Sequence, residues 1–390
     1  MKILSITAQK PFDTGSGVYL AELIKAFQRQ GHKNALICGI YHDDQKRFTG
    51  QVPVYPVVFQ SPELDFPISG MSDVMPYKSQ RYRDLSLDQR TVLKSAFKKR
   101  LQEALDKEKP DLILCHHLYA LTSLVAESVR DIPVYGICHG SDLRQIRQNA
   151  IGREDIKEGI RRLQGIFCLH EAQKRDIAAL YGLPEENIHV IGAGYNKEIF
   201  KRNGMSKQDE VIFAGKISEK KGVLSLLKAM REVPGKKCVL AGGAGDQDAY
   251  RRIQEEAKKL QGRAVFKGKL DQKSLADAFN RAKVFVLPSF YEGLPLVALE
   301  ALSCGCQVVM TDLEGIKGWY DAFLPGHDIT FVTPPRMQDV DTPVATDLPA
   351  FEDRLAKAIR DAFQKPDQQK DTTKASWDSV AERILKGAHL

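Results

Sequence analysis

The sequence predicts an α/β protein with parallel sheets that are covered by helices on both faces. Two observations predict this class. Short apolar runs alternate with longer amphipathic segments along the 390 residues, and several runs are apolar at every position. Residues 284–287 (VFVL) are one such run, typical of a strand buried on both faces. Because the chain is too long for one ordinary core, two domains are expected.

The predicted strands follow one another with a helical segment between most neighbours, as parallel pairing requires. In the first half they are 3–6, 35–38, 52–58, 111–115, 134–138, 166–169 and 188–191. In the second half they are 211–214, 238–241, 265–267, 284–287, 308–311 and 329–332.

A polar segment, residues 201–210 (KRNGMSKQDE), interrupts this rhythm before a new first strand begins. The sequence therefore predicts a boundary here, with one domain over 1–203 and the other over 204–374. A second polar gap, 364–374, precedes a last helix predicted over 376–388.

Charge and hydropathy exclude several classes of protein. The first apolar run is too short for a signal peptide, and no stretch approaches the ~18–20 apolar residues that span a bilayer. A cytoplasmic protein is therefore expected. The net charge of +7 is densest over residues 90–100. That stretch fits a solvated helix face. It also fits a binding surface, either for anionic lipid at the inner face of the membrane or for a phosphorylated acceptor. Nucleic acid is not expected, since no aromatic-rich basic platform accompanies the charge.

The cysteines predict buried thiols rather than a metal site. The seven are scattered, and most end apolar runs. Cys304 and Cys306 have no second Cys or His pair at zinc spacing, so no metal is expected there. Asp246 and Asp248 have the D-x-D spacing of some metal-dependent enzymes, but they stand where a helix begins. A helix cap is the expected role of Asp246.

The strongest chemical motif is residues 288–302 (PSFYEGLPLVALEAL), where a buried strand ends in a turn and a helix begins near Pro295. The free N–H groups at this helix start suit a phosphate, and its two glutamates can accept hydrogen bonds from sugar and ribose hydroxyls. The residues expected to contact a ligand are Glu292, Gly293, Leu294, Leu296, Val297 and Glu300.

A second motif, residues 213–222 (FAGKISEKKG), follows the first strand of the second domain and opens a helix. Lys216 and Lys221 stand in it. Alone, two lysines at a helix start fit solvent exposure as well as an anion site. The segment is not a P-loop, because G-x4-G-K-[S/T] is absent.

The first domain carries weaker motifs after its strands. A glycine-rich turn around Gly17 follows the first strand, and such a turn lets backbone approach a phosphate or sugar closely. His139 and Asp142 lie in a His-Gly-Ser-Asp loop after the strand 134–138, with Asp142 expected as a partner of His139 or a helix cap. His117 follows the strand 111–115 and fits either an acceptor contact or a packing role.

These motifs resemble those of the family-four retaining glycosyltransferases. Glu292 and Glu300 have the spacing of the family's E-x7-E signature. Residues 215–222 resemble its Gly-Arg-x4-Lys-Gly motif, with Lys216 in the place of the arginine. The resemblance implies a GT-B architecture, in which two Rossmann-like domains face each other and a last helix, here 375–390, completes the first domain.

The resemblance also implies an activity: transfer of a hexose from a nucleoside diphosphate sugar, a UDP- or GDP-sugar, with retained anomeric configuration and without metal or cofactor. It implies that Lys216 and Lys221 bind the diphosphate, that Gly17 lies over the phosphates, and that His139 contacts the donor. The nucleobase is expected near Lys269 and Leu270.

The acceptor stays open, as a glycan, a lipid-linked group or a small molecule. The family binds acceptors in the first domain, where we expect contacts from the loop 71–80, through Tyr77 and Lys78, and from His117 and Asp142. Two other classes of protein can share such a fold. The first is another enzyme, either a sugar-nucleotide epimerase or a glycosyl phosphorylase, and the second is a non-catalytic protein that binds a sugar nucleotide.

Overall fold

The computed structural model describes residues 1–47, 52–72, 75–367 and 369–390. The chain forms two compact units, one of Met1–Ala193 with Trp377–Leu390 and one of Gly194–Ser376. The boundary precedes the expected one at 203/204 because Tyr195 belongs to the second unit. Its backbone N–H donates to the carbonyl of Ala375 at 3.2 Å, and its hydroxyl lies 2.7 Å from that of Thr372.

The first unit alternates strands and helices. Its strands are β1 (Lys2–Thr7), β2 (Lys33–Ile40), β3 (Val54–Val58), β4 (Ile68–Gly70), β5 (Ser79–Arg81), β6 (Leu112–His116), β7 (Val134–Ile137), β8 (Gly165–Cys168) and β9 (Ile188–Val190). Its helices up to this point are α1 (Gly15–Arg29), α2 (Leu87–Glu108), α3 (Ala120–Ser128), α4 (Ser141–Gln148), α5 (Arg153–Ile160) and α6 (Glu171–Tyr181), with short 3₁₀ turns at His42–Arg47, Tyr82–Asp84 and Glu185–Asn187.

The main sheet of this unit is parallel, with the order β3-β2-β1-β6-β7-β8-β9, while β4 and β5 pair separately. Strands β1 and β6 are buried along almost their whole length, as a sheet covered on both faces requires. The strand order reverses between β1 and β6. In such sheets ligands bind beyond the carboxyl ends of the strands at this point.

Helix α1 begins at Gly15, within the stretch that the sequence predicts as a glycine-rich turn around Gly17. Thr14 caps it, because its hydroxyl accepts the N–H of Gly17 at 3.0 Å. Gly17 therefore lies in the first helical turn and not in a loop before the helix. A Cβ at this position would come within 2.6 Å of the backbone nitrogen of Phe12, so the glycine permits close packing of the preceding loop against the helix.

The second unit repeats the pattern. Its strands are β10 (Gln208–Ala214), β11 (Lys237–Ala241), β12 (Ala264–Gly268), β13 (Ala282–Leu287), β14 (Gln307–Thr311) and β15 (Thr330–Val332). Its helices are α7 (Val223–Ala229), α8 (Gln247–Lys258), α9 (Gln272–Arg281), α10 (Leu296–Ser303), α11 (Ile316–Phe323) and α12 (Leu348–Gln364), with 3₁₀ turns at Met230–Glu232, Ala345–Asp347 and Thr373–Ala375.

Its sheet is parallel with the order β12-β11-β10-β13-β14-β15, and the order reverses between β10 and β13. The α/β class with two Rossmann-like sheets is thus confirmed. Asp246 caps α8, as predicted, by accepting the N–H groups of Asp248 and Ala249 at 3.1 and 2.9 Å. The seven cysteines are buried and unbonded to one another.

The last helix, α13 (Trp377–Gly387), belongs to the first unit. Its Trp377 ring packs edge-on against Tyr19 of α1, with centroids 4.7 Å apart. Asp378 accepts two hydrogen bonds from the guanidinium of Arg29, and Arg383 donates to the carbonyl of Ile191 at 2.8 Å. Among the described residues, no helix combines the length and apolar character that a bilayer span requires.

Candidate functional site

The two strongest sequence motifs meet at one edge of the second unit's sheet. The lysine motif follows β10 and the glutamate motif follows β13, and these strands are adjacent and parallel. Their carboxyl ends therefore lie side by side, at the place where the strand order reverses. This is where a doubly wound sheet binds its ligand.

A direct ion pair joins the two motifs. The Nζ of Lys221 lies 2.7 Å from the Oε1 of Glu292, and the side chains are 30% and 13% exposed. Such a partly buried, charge-assisted bond is stronger than an exposed one. It holds the ammonium and the carboxylate together at the open edge of the sheet.

Close backbone packing fixes this arrangement. Gly222 has a φ of +68°, and a Cβ there would lie 1.9 Å from the carbonyl oxygen of Pro288. Only glycine fits both the left-handed conformation and the close approach. The N–H of Phe290 donates to the carbonyl of Lys220 at 3.0 Å, so the two loops are also hydrogen-bonded to each other.

The loops after β11 and β12 join the same edge. The N–H of Ile217 donates to Gly243 at 2.9 Å, and that of Gly242 donates to Gly268 at 2.8 Å. Lys216 is exposed. Its side chain passes over Gly245, since a Cβ on that glycine would meet the Cε of Lys216 at 2.9 Å.

Lys269 and Leu270 follow β12 directly, and the first is exposed while the second is half-buried. They therefore lie beside the loop that carries Gly242 and Gly243.

Helix α10 starts at this edge without a side-chain cap, because its N-cap residue is Pro295. An uncapped helix N-terminus carries a partial positive charge and free N–H groups, which bind anions. Leu296 and Val297 are the first two helical residues and are half-buried, as is Gly293, whereas Leu294 is buried. Glu300 lies one turn further along α10 and is half-buried. The two glutamates of the motif therefore differ in position, since Glu292 lies in the loop before the helix, where it pairs with Lys221.

Three histidines cluster at the carboxyl ends of β6 and β7 in the first unit. The Nδ1 of His116 lies 3.0 Å from the Nε2 of His139, with the two rings 15° from coplanar. The ring of His117 is 4.7 Å from that of His139, and Tyr19 packs edge-on against His139 at 5.1 Å. His117 has a φ of +72°, a conformation that is unusual for a non-glycine residue and often marks functional sites.

Burial keeps these imidazoles neutral. It lowers the pKa of His116 to about 3, with a smaller contribution from His117. Burial also lowers the pKa of His117 and takes that of His139 well below its ordinary value, where the neighbouring histidines add to the effect. The cluster therefore offers hydrogen bonds rather than positive charge.

Asp142 organises the loops that hold this cluster. Its carboxylate is completely buried and accepts the N–H groups of Leu118 at 2.8 Å, His139 at 3.2 Å and Leu143 at 3.2 Å. These bonds tie the loop after β6 to the loop after β7. Because its oxygens are occupied inside the unit, Asp142 positions the histidine loops, and the structure does not present it as a surface for an acceptor.

The loop expected to contact an acceptor packs around a buried lysine that the sequence analysis missed. Lys10 forms an ion pair with Asp44 at 2.7 Å, and its Nζ lies 5.0 Å from the centroid of the Tyr77 ring. The hydroxyl of Tyr77 is buried and has no partner among the described residues. Lys78 is exposed. Asp73 and Val74 of this loop lie outside the described residues.

Comparison with solved structures identifies the fold. Sucrose-phosphate synthase from Thermosynechococcus elongatus matches with a TM-score of 0.67 and 19% identity, over 100% of this chain and 98% of that one. Anabaena HepE, solved in complex with UDP, matches with a TM-score of 0.66 and 15% identity, over 100% of both chains. The protein has the GT-B fold of these glycosyltransferases.

Two family models match consecutive parts of the sequence. The model "Glycosyltransferase Family 4" matches residues 14–198 and the model "Glycosyl transferases group 1" matches residues 195–326. The chain belongs to the family-four glycosyltransferases. Alpha-maltose-1-phosphate synthase of Mycolicibacterium smegmatis is 26% identical over 250 residues, which cover 57% of this chain and 62% of that protein. The chain thus spans less than two thirds of this curated relative.

Proposed function

We propose that the protein transfers a hexose from a nucleoside diphosphate sugar to an acceptor hydroxyl, with retention at the anomeric carbon and without a metal ion. One observation carries this proposal: the 2.7 Å contact between Lys221 and Glu292 at the switch point of the second sheet. It joins a cation suited to a diphosphate and a carboxylate suited to sugar hydroxyls.

The donor is a UDP- or GDP-sugar that binds the second unit. Lys216 and Lys221 supply two positive charges, and the start of α10 at Leu296 supplies a helix N-terminus. Three independent sources of positive potential at one sheet edge fit the two phosphates. Glu300 accepts hydrogen bonds from the ribose, and Lys269 and Leu270 lie beside the base. That the similarly folded HepE was solved with UDP supports this donor class.

Catalysis rests on stabilising the leaving diphosphate. As the bond between the anomeric carbon and the phosphate oxygen breaks, negative charge grows on the diphosphate. Lys216, Lys221 and the α10 N-terminus stabilise that charge, which is commonly the largest contribution in such reactions. The acceptor oxygen forms the new glycosidic bond on the same face of the sugar, and its proton passes to the departing phosphate oxygen. Glu292 binds the sugar hydroxyls, while His139 contacts the substrate.

The acceptor binds the first unit, with His117, Tyr77 and Lys78 as its nearest polar groups. The protein acts in the cytoplasm and contacts the inner face of the membrane through α2. Lys94 and Lys98 support this contact, because neither has an ion-pair partner among the described residues. Leu87 and Val92 of the same helix are 79% and 40% exposed.

The testing experiment is a thermal-shift and calorimetric titration with UDP, GDP, ADP and TDP, with EDTA or Mg²⁺. Wild type, Lys221→Ala and Lys220→Ala are compared. Lys220 is the matched control, since it is the neighbouring lysine and pairs with Asp341 at 2.7 Å. We expect one nucleotide to bind wild type and Lys220→Ala equally in EDTA, and to bind Lys221→Ala roughly 10–100-fold more weakly.

Two outcomes would contradict the proposal. One is that no nucleotide binds, and the other is that Lys220→Ala and Lys221→Ala weaken binding equally. Once the nucleotide is known, proton NMR of the glycosylated product distinguishes retention from inversion. Turnover of the sugar nucleotide to an epimer, or phosphorolysis of a glycoside, would instead favour an epimerase or phosphorylase.

A further inference from the structure

The hydrogen bond between His116 and His139 has only two possible proton arrangements when both rings are neutral. Either His116 donates its Nδ1–H to the Nε2 of His139, or His139 donates its Nε2–H to the Nδ1 of His116. The first arrangement leaves the proton of His139 on Nδ1. The second leaves Nδ1 of His139 as a bare acceptor.

The surroundings of His116 distinguish these arrangements. Its Nε2 is buried and has no hydrogen-bond partner among the described residues. If His139 were the donor, this Nε2 would carry a hydrogen with nothing to accept it. Buried backbone N–H groups without a partner are rarer in proteins than buried carbonyls with an unused lone pair, and we apply the same preference to the nitrogens of His116. His116 is therefore the donor, and its Nε2 is the unprotonated nitrogen.

Packing fixes the pair in this orientation. Tyr19 lies edge-on to both rings, with centroids 5.1 Å from His139 and 6.4 Å from His116. The Tyr19 hydroxyl is itself anchored by donating to the carbonyl of Gly192 at 2.8 Å. On its backbone side, the N–H of His139 donates to Asp142 at 3.2 Å. His139 is thus held at its backbone, along its ring and at Nε2.

The remaining nitrogen of His139 is available to a ligand. Among the described residues, Nδ1 of His139 makes no hydrogen bond, and His139 is only half-buried whereas His116 is 3% exposed. The three histidines do not form a metal-binding group, since no cluster of three or more His, Cys, Asp or Glu side chains in the described part of the chain has such an arrangement.

We propose that His116 is a positioning residue, which sets His139 in the Nδ1–H tautomer so that His139 donates a hydrogen bond to a substrate oxygen. His116 itself touches no substrate. This inference rests on the proposed function only in naming the ligand of His139 as substrate. The tautomer itself follows from the hydrogen bond, whatever reaction the protein catalyses. In a functional histidine, the hydrogen bond made by one ring nitrogen commonly determines whether the other nitrogen carries the proton.

The first test reads the tautomer directly. Long-range ¹H–¹⁵N correlation spectra are recorded on the full chain labelled with ¹⁵N-histidine, and His139 is assigned by its loss in His139→Gln. We expect the neutral Nδ1–H tautomer in wild type and in His116→Asn, whose amide keeps a donor at the Nδ1 position. In His116→Phe, which keeps an aromatic ring against Tyr19 but no donor, we expect a mixture of tautomers. An Nε2–H tautomer or an imidazolium in wild type at neutral pH would overturn the inference.

The second test measures how the tautomer of His139 affects the rate of the reaction. Release of UDP from UDP-glucose and of GDP from GDP-mannose is measured for the same variants, with the thermal shift by each nucleotide as a check on folding and donor binding. We expect kcat to fall about tenfold in His116→Phe, the equivalent of one lost hydrogen bond, with KM unchanged and with most of kcat restored in His116→Asn. Equal kcat values in the Phe and Asn variants would overturn the positioning role. If neither sugar nucleotide turns over, the proposed reaction fails on these donors, while the spectra still decide the tautomer.

Discussion

Lys221 and Glu292 are 71 residues apart in sequence, yet their side chains form an ion pair of 2.7 Å at the edge of the second sheet. The pair exists because β10 and β13 are neighbours and because Gly222 lets the two following loops touch. It connects the fold directly to the proposed chemistry, since each partner comes from a different motif.

The two charges of this pair are expected to be energetically coupled. Thermal and urea unfolding of Lys221→Ala, Glu292→Gln and the double variant give the coupling energy. We expect about 1 kcal/mol, because both side chains are partly buried and a one-sided deletion leaves the other charge without its partner. Additive effects would show that the pair contributes nothing to the fold. Nucleotide binding should fall in Lys221→Ala but hardly change in Glu292→Gln, since Glu292 is proposed to contact the sugar.

Gly222 is expected to be intolerant of any side chain. A Cβ added at this position would lie 1.9 Å from the carbonyl oxygen of Pro288. Gly235 is the matched control, because it has a φ of +72° but open space around its Cβ position. We expect Gly235→Ala to cost about 1 kcal/mol for the left-handed conformation, and Gly222→Ala to cost at least about 2 kcal/mol more and to abolish nucleotide binding. Equal melting temperatures of the two variants would contradict the close-contact argument.

The sequence predicted the sheets well because parallel strands covered on both faces are apolar at nearly every position. Residues 284–287 were recognised for this reason and lie in β13. The motifs were recognised because loops that follow parallel strands gather at one edge. Asp246 was correctly assigned as a helix cap because its effect is local, on the two N–H groups that follow.

Other features depend on contacts that no local pattern reports. Nothing in the sequence indicates that Tyr195 bonds to Ala375, and so the boundary was placed too late. In the sequence, Lys10 resembles an ordinary surface lysine, yet in the structure it is buried and forms an ion pair with Asp44. His116 ends an apolar strand and resembles a packing residue until its bond to His139 is known.

The buried histidines predict a pH dependence of stability. The folded pKa of His116 is about 3, below the ~6.5 of an unfolded chain, so between these values only the unfolded state binds the proton. The contribution of neutral, buried His116 to the free energy of unfolding is therefore complete above about pH 6.5. It is lost progressively as the pH falls toward 3.

His117 and His139, whose pKa values are also lowered, add in the same direction. We expect the free energy of unfolding of wild type to fall as the pH is lowered from about 7 to about 5, by up to ~1.4 kcal/mol per pH unit for each histidine. The melting temperature, measured at each pH, should fall with it. The slope should be smaller in His116→Phe. A slope that is unchanged in this variant would show that His116 does not titrate on unfolding.

Helix α2 is expected to bind anionic vesicles. Co-sedimentation with phosphatidylserine-containing vesicles is compared with pure phosphatidylcholine, for wild type and for the double variant Lys94→Ala with Lys98→Ala. Each lysine near an anionic surface contributes about 1 kcal/mol, so the double variant should bind roughly 25-fold more weakly. Lys258→Ala with Lys357→Ala is the matched control, since both lysines are exposed and lie in the second unit. Equal binding of both double variants would exclude α2 as the contact.

The first unit is completed by α13, which follows the whole of the second unit in chain order. Residues 194–376 are all synthesised before α13, so the second unit can fold during translation, whereas the first must wait. This order of synthesis matters for the histidines, because Tyr19, which packs against His139, also packs against Trp377 of α13. A product cut short before α13 would therefore keep every residue of the proposed nucleotide site in the second unit, while Tyr19 beside the histidine cluster would lack its contact with Trp377.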